Sequence, residues 1–385
     1  MRRIPLTAAA VLAATLVALS ALPLAAQDPS PAPTPPPRQF PRAQIAVVTN
    51  ELDDPAMIRA VTQATTAATE GIGANAPPVI PPLPEENVLI AARNFGEEDA
   101  EYDVVVVSGV GGPDTIDISR DFPDTVYVGV GQGLPCVNED GLPDPSGTCA
   151  GDAATLLRNY ISSAYAVDQA GYLAGVVAAS TSRSGRIGAI AGWPGCTDCN
   201  RYIGGFSLGV RSVDPDITIQ VAYLTDLEPG DLNPEPESGR AFAEAFIDVY
   251  ELDMLLAASG GSSSGVIQAA CDAGILAIGT DVDRAVEHPR LARCILTSAY
   301  RNVADPIAEA VYGVARQFRD EVIFTGGGQE RDLDNVGVGL APYYELASSV
   351  PVEVPNRLEE ARAGIRSGRV QTCPDDCGKA LSPEG

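Results

Sequence analysis

The chain has 385 residues, of which 51 are acidic and 25 basic, for a formal net charge of −26. Such a surface repels phosphate backbones and anionic headgroups, which sets aside nucleic-acid binding and docking on a charged lipid face. The single lysine, Lys379, excludes a lysine Schiff base in the folded body, and a Ser/His/Asp triad or a histidine metal site would have to use the single histidine, His288, or none.

Arg2 and Arg3 precede an uncharged Ala/Leu/Val run from Ile4 to Ala26 that closes on Leu24-Ala25-Ala26. Residues 1–26 therefore read as a secretory signal, cleaved after Ala26 or retained as an anchor, since the run is long enough to span a bilayer. An exported chain, periplasmic or at the cell surface, follows from either reading. Residues 27–42 contain seven prolines. No helix or sheet packs such a stretch, and an extended tether is expected.

From Ala43 short Val/Ile-rich runs alternate with amphipathic stretches. The first run, Gln44–Thr49, leads through Asn50-Glu-Leu-Asp53-Asp54 to Pro55, where a helix over Pro55–Glu70 is expected to start. The second, Tyr102–Ser108, runs into Gly109-Val-Gly-Gly-Pro-Asp114, and Thr125–Val130 is the third. A helix over Ala166–Ser180 precedes the strand Arg186–Ala191, after which come Gly192-Trp193-Pro-Gly195 and Cys196-Thr-Asp-Cys199. The helix Asn200–Val213, strand Thr218–Tyr223, helix Gly239–Tyr250 and strand Met254–Ala258 follow. Next are the turn Ser259-Gly260-Gly261-Ser262-Ser-Ser-Gly265, the helix Ser264–Ala273 and the strand Ile275–Gly279 with Thr280-Asp281-Val-Asp283 behind it. The strand Arg293–Thr297, the helix Val303–Phe318, the strand Val336–Leu340 and the helix Leu358–Ser367 complete the order.

Repeated β-α units with strands apolar on both faces imply an α/β fold of two mostly parallel sheets flanked by helices. Ligands of such sheets bind beyond the carboxyl ends of the strands, so the loops there hold the candidate site. The Gly260–Gly265 turn offers backbone N–H groups to a hydroxyl, carboxylate or phosphate, or is only a tight connection; it lacks a Walker lysine. Asp281 and Asp283 could face a solute or serve as helix caps. Trp193, the sole tryptophan, sits between glycine and proline, where a rigid amphipathic ring suits a cleft wall.

The eight cysteines fall into local pairs, Cys136/Cys149, Cys196/Cys199, Cys271/Cys294 and Cys373/Cys377, and an even count in an exported chain suggests disulfides. Two alternatives stay open: Cys196-x-x-Cys199 and Cys373-x-x-x-Cys377 as halves of a zinc site, or Cys196/Cys199 as a thiol-redox pair.

Several stretches taken together resemble the basic-membrane-protein (PnrA-like) substrate-binding proteins of ABC transporters. They are Tyr102–Val107 with Phe122-Pro-Asp-Thr-Val126, Asp168-Gln-Ala-Gly-Tyr-Leu-Ala-Gly175, Gly185-Arg-Ile-Gly-Ala-Ile-Ala-Gly192, Arg201-Tyr-Ile-Gly-Gly-Phe206 and Ile278-Gly-Thr-Asp-Val-Asp283. The resemblance runs from about Ala43 to Tyr344. It implies a two-lobed type I periplasmic-binding fold: residues 43–167 with 300–338 as one lobe and 168–299 with 339–367 as the other. Residues 368–385 lie beyond the resemblance and read, from Cys373 and Cys377, as a disulfide-stapled tail. The resemblance implies a non-enzymatic receptor without cofactor, acting as a monomer, that closes on a small polar solute such as a nucleoside or sugar and meets an ABC permease. A sensory receptor of the same fold is the alternative.

The expected solute-binding residues are Asn50, Asp53, Asp54, Ser108, Gly109, Trp193, Gly260, Gly261, Ser262, Asp281 and Arg301. By the resemblance Asp281 takes the place of the aspartate that holds ribose hydroxyls, and Arg301 stands where the family has lysine. The family's aromatic clamp is absent: Asp53-Asp54-Pro55-Ala56 carries no ring, and the second aromatic position falls near Leu227. The acidic rim would equally suit a polyhydroxylated or an amine-bearing solute.

Overall fold

The computed structural model describes residues 43–379 apart from 52, 98–101, 135, 141, 143, 145, 147, 150, 152–155, 226–234, 321–326, 329 and 374–376. The expected leader and tether, and Leu227, lie outside the described residues.

The strands β1 (Ile45–Thr49), β2 (Val104–Ser108), β3 (Val126–Val130), β4 (Tyr160–Ser163) and β10 (Gly327–Gly328) form one all-parallel sheet in that order. Its β1–β4 are buried along their whole length. Side chains point to both faces of a strand, so burial throughout requires cover on both sides. The helices α1 (Pro55–Gly71), α2 (Glu85–Asn94), α3 (Gly112–Asp121) and α9 (Ala304–Asp320) supply it.

The second sheet runs β11-β9-β8-β7-β5-β6. Its strands are β5 (Arg186–Ala191), β6 (Thr218–Tyr223), β7 (Met254–Ala258), β8 (Leu276–Asp281), β9 (Ile295–Arg301) and β11 (Val338–Leu340). All pairings are parallel except β11 on β9, which is antiparallel, so the sheet is mostly parallel as expected. The cover comes from α4 (Val167–Thr181), α5 (Thr197–Val213), α6 (Pro236–Tyr250), α7 (Ser263–Asp272) and α8 (Arg284–Glu287), with α10 (Val354–Arg366) packed on α4. β6 is the edge opposite β11, and its residues are half-buried or exposed.

The motif Asp168–Gly175 gains a physical reason here. Gly171 and Gly175 of α4 lie against the carbonyls of Tyr202 and Phe206, and Gly205 and Gly209 of α5 against those of Asp168 and Tyr172. Small residues at i, i+4 on both helices let the backbones touch, which any Cβ would prevent. This contact fixes α5, whose first turns reach the site described below.

The chain passes from the first sheet to the second between β4 and β5, returns after β9, and passes again between β10 and β11. The crossing segments are tied together: Ala166 N–H donates to the Arg331 carbonyl at 2.8 Å, Arg331 N–H to Ala164 at 2.7 Å, and Asn302 N–H to Gly337 at 2.8 Å.

The sequence reading missed β4, β10, α2, α3 and α8. α2 buries only Val88 and Ala92, so its apolar period is too weak to read. The strand expected from Arg293 starts only at Ile295. Arg293 and Cys294 belong instead to the turn that follows α8, where Cys294 N–H donates to the Leu291 carbonyl at 2.9 Å and so is not free to join the ladder.

The four local cysteine pairs are joined. The Cα–Cα separations are 4.7 Å for Cys136–Cys149, 5.3 Å for Cys196–Cys199, 5.5 Å for Cys271–Cys294 and 5.0 Å for Cys373–Cys377, which leaves the zinc alternative no thiolates. Cys271 and Cys294 are both buried and fasten the end of α7 to the turn before β9. Among the described residues no helix is long and apolar enough to cross a membrane.

Candidate functional site

The carboxyl ends of both sheets open on one cavity of about 270 Å³. Asp53 and Met57 contribute from the first half; Trp193, Asp198, Tyr202, Gly260, Gly261, Ser262, Asp281 and Arg301 contribute from the second. A second chamber, lined by Ser108, Gly109, Gly131 and Glu85, shares Asp53, Met57, Asp198 and Arg301 with the first, so the two form one cleft.

Arg301 ends β9 at the centre of the cleft. Its guanidinium pairs with Asp281 at 2.8 Å and Asp198 at 2.8 Å, and lies 5.8 Å over the Tyr165 ring. Burial works against its charge, but Asp281 and Asp198 outweigh burial and hold its pKa above the usual value. Asp281 ends β8 with φ +71°, and Val282 N–H donates back to the Thr280 carbonyl at 2.8 Å. These are the marks of a γ-turn centred on Asp281, a conformation that costs an L-residue energy and aims the carboxylate out of the strand. The buried Tyr202 hydroxyl also reaches Asp281, at 3.4 Å, and burial first, then the Asp281 charge, raise its pKa well above normal.

Asp53 accepts a hydrogen bond from the Ser108 hydroxyl at 3.0 Å. Burial foremost, with Asp54 and Asp281 adding like charge, pushes its pKa up to about 6, against the opposing pull of Ser108 and Arg301. The folded chain therefore holds this proton more tightly than the unfolded one. The stabilisation is complete below about pH 4 and is lost as pH rises through about 6. A carboxyl moved from its ordinary 3.8 to about 6 changes stability by at most about 3 kcal/mol. Asp53→Asn is accordingly expected to raise the melting temperature relative to wild type at pH 8 and leave it unchanged at pH 4. Equal melting temperatures at both pH values would mean that the Asp53 carboxylate is solvated.

Trp193 stands on the loop between β5 and α5. Its indole lies over Gly195, where a Cβ would strike the ring, so that face is covered by its own loop. Gly260 has φ +58° with open space where a Cβ would stand, as a cavity wall requires.

Of the expected residues, Asp53, Asp54, Trp193, Gly260, Gly261, Ser262, Asp281 and Arg301 line the first chamber, and Ser108 and Gly109 the second. Asn50 lines neither; its amide donates to the Gly109 carbonyl at 2.7 Å and ties the β1 and β2 loops together. Asp54 reaches the wall, but its oxygens are taken: one caps α1 through Ala56 N–H at 2.9 Å and the other pairs with buried Arg284. Asp283 is a cap, accepting from Ala285 N–H at 3.1 Å and from the Tyr344 hydroxyl at 2.5 Å. Of the four disulfides only Cys196–Cys199 reaches the wall; Cys136, Cys149, Cys271, Cys294, Cys373 and Cys377 line neither chamber. Sequence reasoning missed Asp198, Tyr202 and Met57. Asp198 could have been found as the acidic residue inside the Cys196–Cys199 ring, one turn before Tyr202 on the same face. His288 lies in a separate surface groove with Arg240 and Gln268. Among the described residues no group of His, Cys, Asp and Glu side chains is placed to hold a metal ion.

Residues 83–366 match the family described as ABC transporter substrate-binding protein PnrA-like. Basic membrane protein B of Borreliella burgdorferi is 30% identical over 191 residues, 49% of this chain and 50% of that one. The CD4+ T-cell-stimulating antigen of Listeria monocytogenes is 27% identical over 227 residues, 55% and 59% of the two chains. The chain thus spans about half the length of the curated relatives it matches. Among solved structures, an ABC transporter solute-binding protein from Conexibacter woesei has TM-score 0.63 at 19% identity, covering 87% of this chain and 99% of its own. A periplasmic solute-binding protein from Actinobacillus succinogenes with bound D-allose has TM-score 0.56 at 16% identity, covering 82% and 99%. At these identities the structural matches show the fold, that of the periplasmic binding proteins.

Proposed function

This chain belongs to the family of PnrA-like ABC transporter substrate-binding proteins, and from that premise we propose that it is an exported receptor that closes over one small polyhydroxylated solute, a nucleoside or sugar, and presents the closed form to a membrane permease. Residues 43–167 with 300–338 and residues 168–299 with 339–367 would move as the two lobes, with the crossing segments as hinge. The observation that carries the reading is the convergence of Asp53, Asp198, Asp281, Arg301 and Trp193 on one cavity fed by the carboxyl ends of both sheets.

Carboxylates accept hydrogen bonds from sugar hydroxyls, the guanidinium donates to ring and hydroxyl oxygens, and the indole offers an apolar face to a sugar or base. A cavity of about 270 Å³ suits such a solute and sits just below the range of roughly 300–1,000 Å³ for larger ligands. The structural neighbour with bound D-allose supports a sugar-sized occupant. The cysteines 196 and 199 close a disulfide that shapes the α5 start, with Thr-Asp between them where a thioredoxin-type pair has Gly-Pro, which favours a staple over a thiol-redox role.

A second reading, an amine-bearing solute, is favoured by charge. Asp54 is neutralised by Arg284, which leaves three carboxylates, Asp53, Asp198 and Asp281, around one guanidinium.

Nucleosides, monosaccharides and the pair glucose and glucosamine are the solutes to titrate. Saturation at 100 times Kd should stabilise the chain by about 2.7 kcal/mol and should change the Trp193 emission, a signal with a single source. A preference for glucosamine over glucose selects the second reading. No thermal shift from any member, with no solute retained in native mass spectrometry, would rule out the receptor function.

A further inference from the structure

The tail behind α10 is held against the back of the candidate site. Thr372 is buried, and its hydroxyl donates to Asp168 at 2.5 Å. The same Asp168 also takes the Arg201 guanidinium. Cys377 packs on α5 at Gly204, where a Cβ would come within 3.2 Å of the Cys377 Cβ. The Cys373–Cys377 disulfide closes the short ring between these two anchors.

One side chain joins this tail to the cleft. Asn200 is fully buried near the start of α5. Its amide nitrogen donates to the Pro194 carbonyl at 2.7 Å and to the Gly378 carbonyl at 2.9 Å, and its oxygen accepts from the Tyr223 hydroxyl at 2.8 Å. Both N–H groups of the amide are thus used, one on the loop that carries Trp193 and one on a tail 178 residues later in the chain. We infer that Asn200 is a positioning residue through which the stapled C-terminal tail sets the Trp193 loop.

The physical chain is short. An amide held by three partners has one orientation; with Gly378 gone, a buried N–H loses its acceptor and the amide is free to turn toward another. Turning releases Pro194, and with it the indole immediately before it. Cys196 N–H, which donates to the Trp193 carbonyl at 3.1 Å, holds the other side of the same turn but does not reach the ring. The Cys196–Cys199 ring and the tail ring therefore brace one loop from two directions.

The inference rests on the receptor reading only in that Trp193 faces the solute; the setting of the loop is tested without any solute. In the full chain, Cys373→Ser with Cys377→Ser, and separately Asn200→Ala, should shift Trp193 emission to the red and raise its quenching by acrylamide, while each protein still melts cooperatively. Cys136→Ser with Cys149→Ser, which opens the staple between β3 and β4, should leave both signals where they are. If the tail variant does not fold, Thr372→Val loosens the same tail by one hydroxyl and should move emission in the same direction. Folded tail and Asn200 variants with wild-type emission and quenching would overturn the inference. A wild-type emission that no solute moves would count against the receptor reading and leave this comparison standing.

Discussion

Asp281→Ala is expected to remove most of the solute affinity and to cost the fold about 3 kcal/mol, the lower end of what removing one partner of a buried ion pair costs. Arg301 would keep only Asp198, whose side chain is 41% exposed. Alanine also keeps the φ of +71° and so relieves none of the strain. Glycine does relieve it, by about 1–2 kcal/mol. Asp281→Gly should therefore be more stable than Asp281→Ala and still less stable than wild type, a net loss of about 1–2 kcal/mol. Asparagine tolerates the left-handed backbone and still accepts a hydrogen bond from Arg301, so Asp281→Asn should be the mildest of the three in thermal melts. Binding separates from stability in this series. Each charge-assisted hydrogen bond lost to the solute removes about 1.5–3 kcal/mol, a factor of roughly ten to more than a hundred in Kd, and all three variants should show it in titration calorimetry. A glycine variant more stable than wild type would mean that the Asp281–Arg301 pair contributes less than the strain glycine relieves. Unchanged affinity in the asparagine variant would remove Asp281 from the site.

That Asp281, Trp193 and the Gly260–Ser262 turn meet in one cleft was legible in the sequence for a geometric reason, whereas Arg301 was expected there only from the family resemblance. Parallel strands put all their carboxyl ends on one side, so a loop directly behind a Val/Ile run has its place set by topology. The role of each carboxylate was not legible. Asp53, Asp54, Asp281 and Asp283 look alike as residues behind strands, yet Asp54 and Asp283 are spent on caps and partners. What separates Asp54 from Asp53 is Arg284, 230 residues away, and no local pattern carries that. Asp198 was hidden because the cysteines around it drew the reading to a staple. Tyr202 and Met57 have the spacing of core residues on their helices, and nothing in a helical period tells a cleft-facing apolar side chain from a packed one. The missing strand β4, Tyr160-Ile-Ser-Ser163, reads as polar; Ser163 is nonetheless fully buried because its hydroxyl donates to the Gly129 carbonyl at 3.0 Å.

Arg284→Met should destabilise the chain by about 3–5 kcal/mol. The Arg284 side chain is 1% exposed and its partner Asp54 8%. The guanidinium Nε also donates to the Thr280 carbonyl at 2.9 Å, and the backbone N–H to the Ser298 hydroxyl at 3.0 Å. Methionine fills much of the volume but leaves a buried carboxylate with only the α1 cap to satisfy it. Removing both charges, Asp54→Asn with Arg284→Met, should restore part of the loss, because the penalty lies in the orphaned charge more than in the missing attraction. The pair has a further consequence through its position. Asp54 stands at the start of α1 on the first sheet, and Arg284 at the start of α8 on the second. Arg59 with Glu287 repeats the link one turn along α1, but exposed, and is worth only about 0.2–1 kcal/mol. Both contacts require the two halves to be this close, so under the proposed hinge motion they would favour the closed arrangement before any solute arrives. Apparent affinity scales with the fraction of binding-competent molecules. Arg284→Met should thus weaken solute binding although Arg284 is outside the cavity wall, and should enlarge the radius of gyration of the solute-free chain in small-angle scattering. A folded variant that melts earlier yet keeps both the wild-type radius and the wild-type affinity would confine the pair to holding α1 in place.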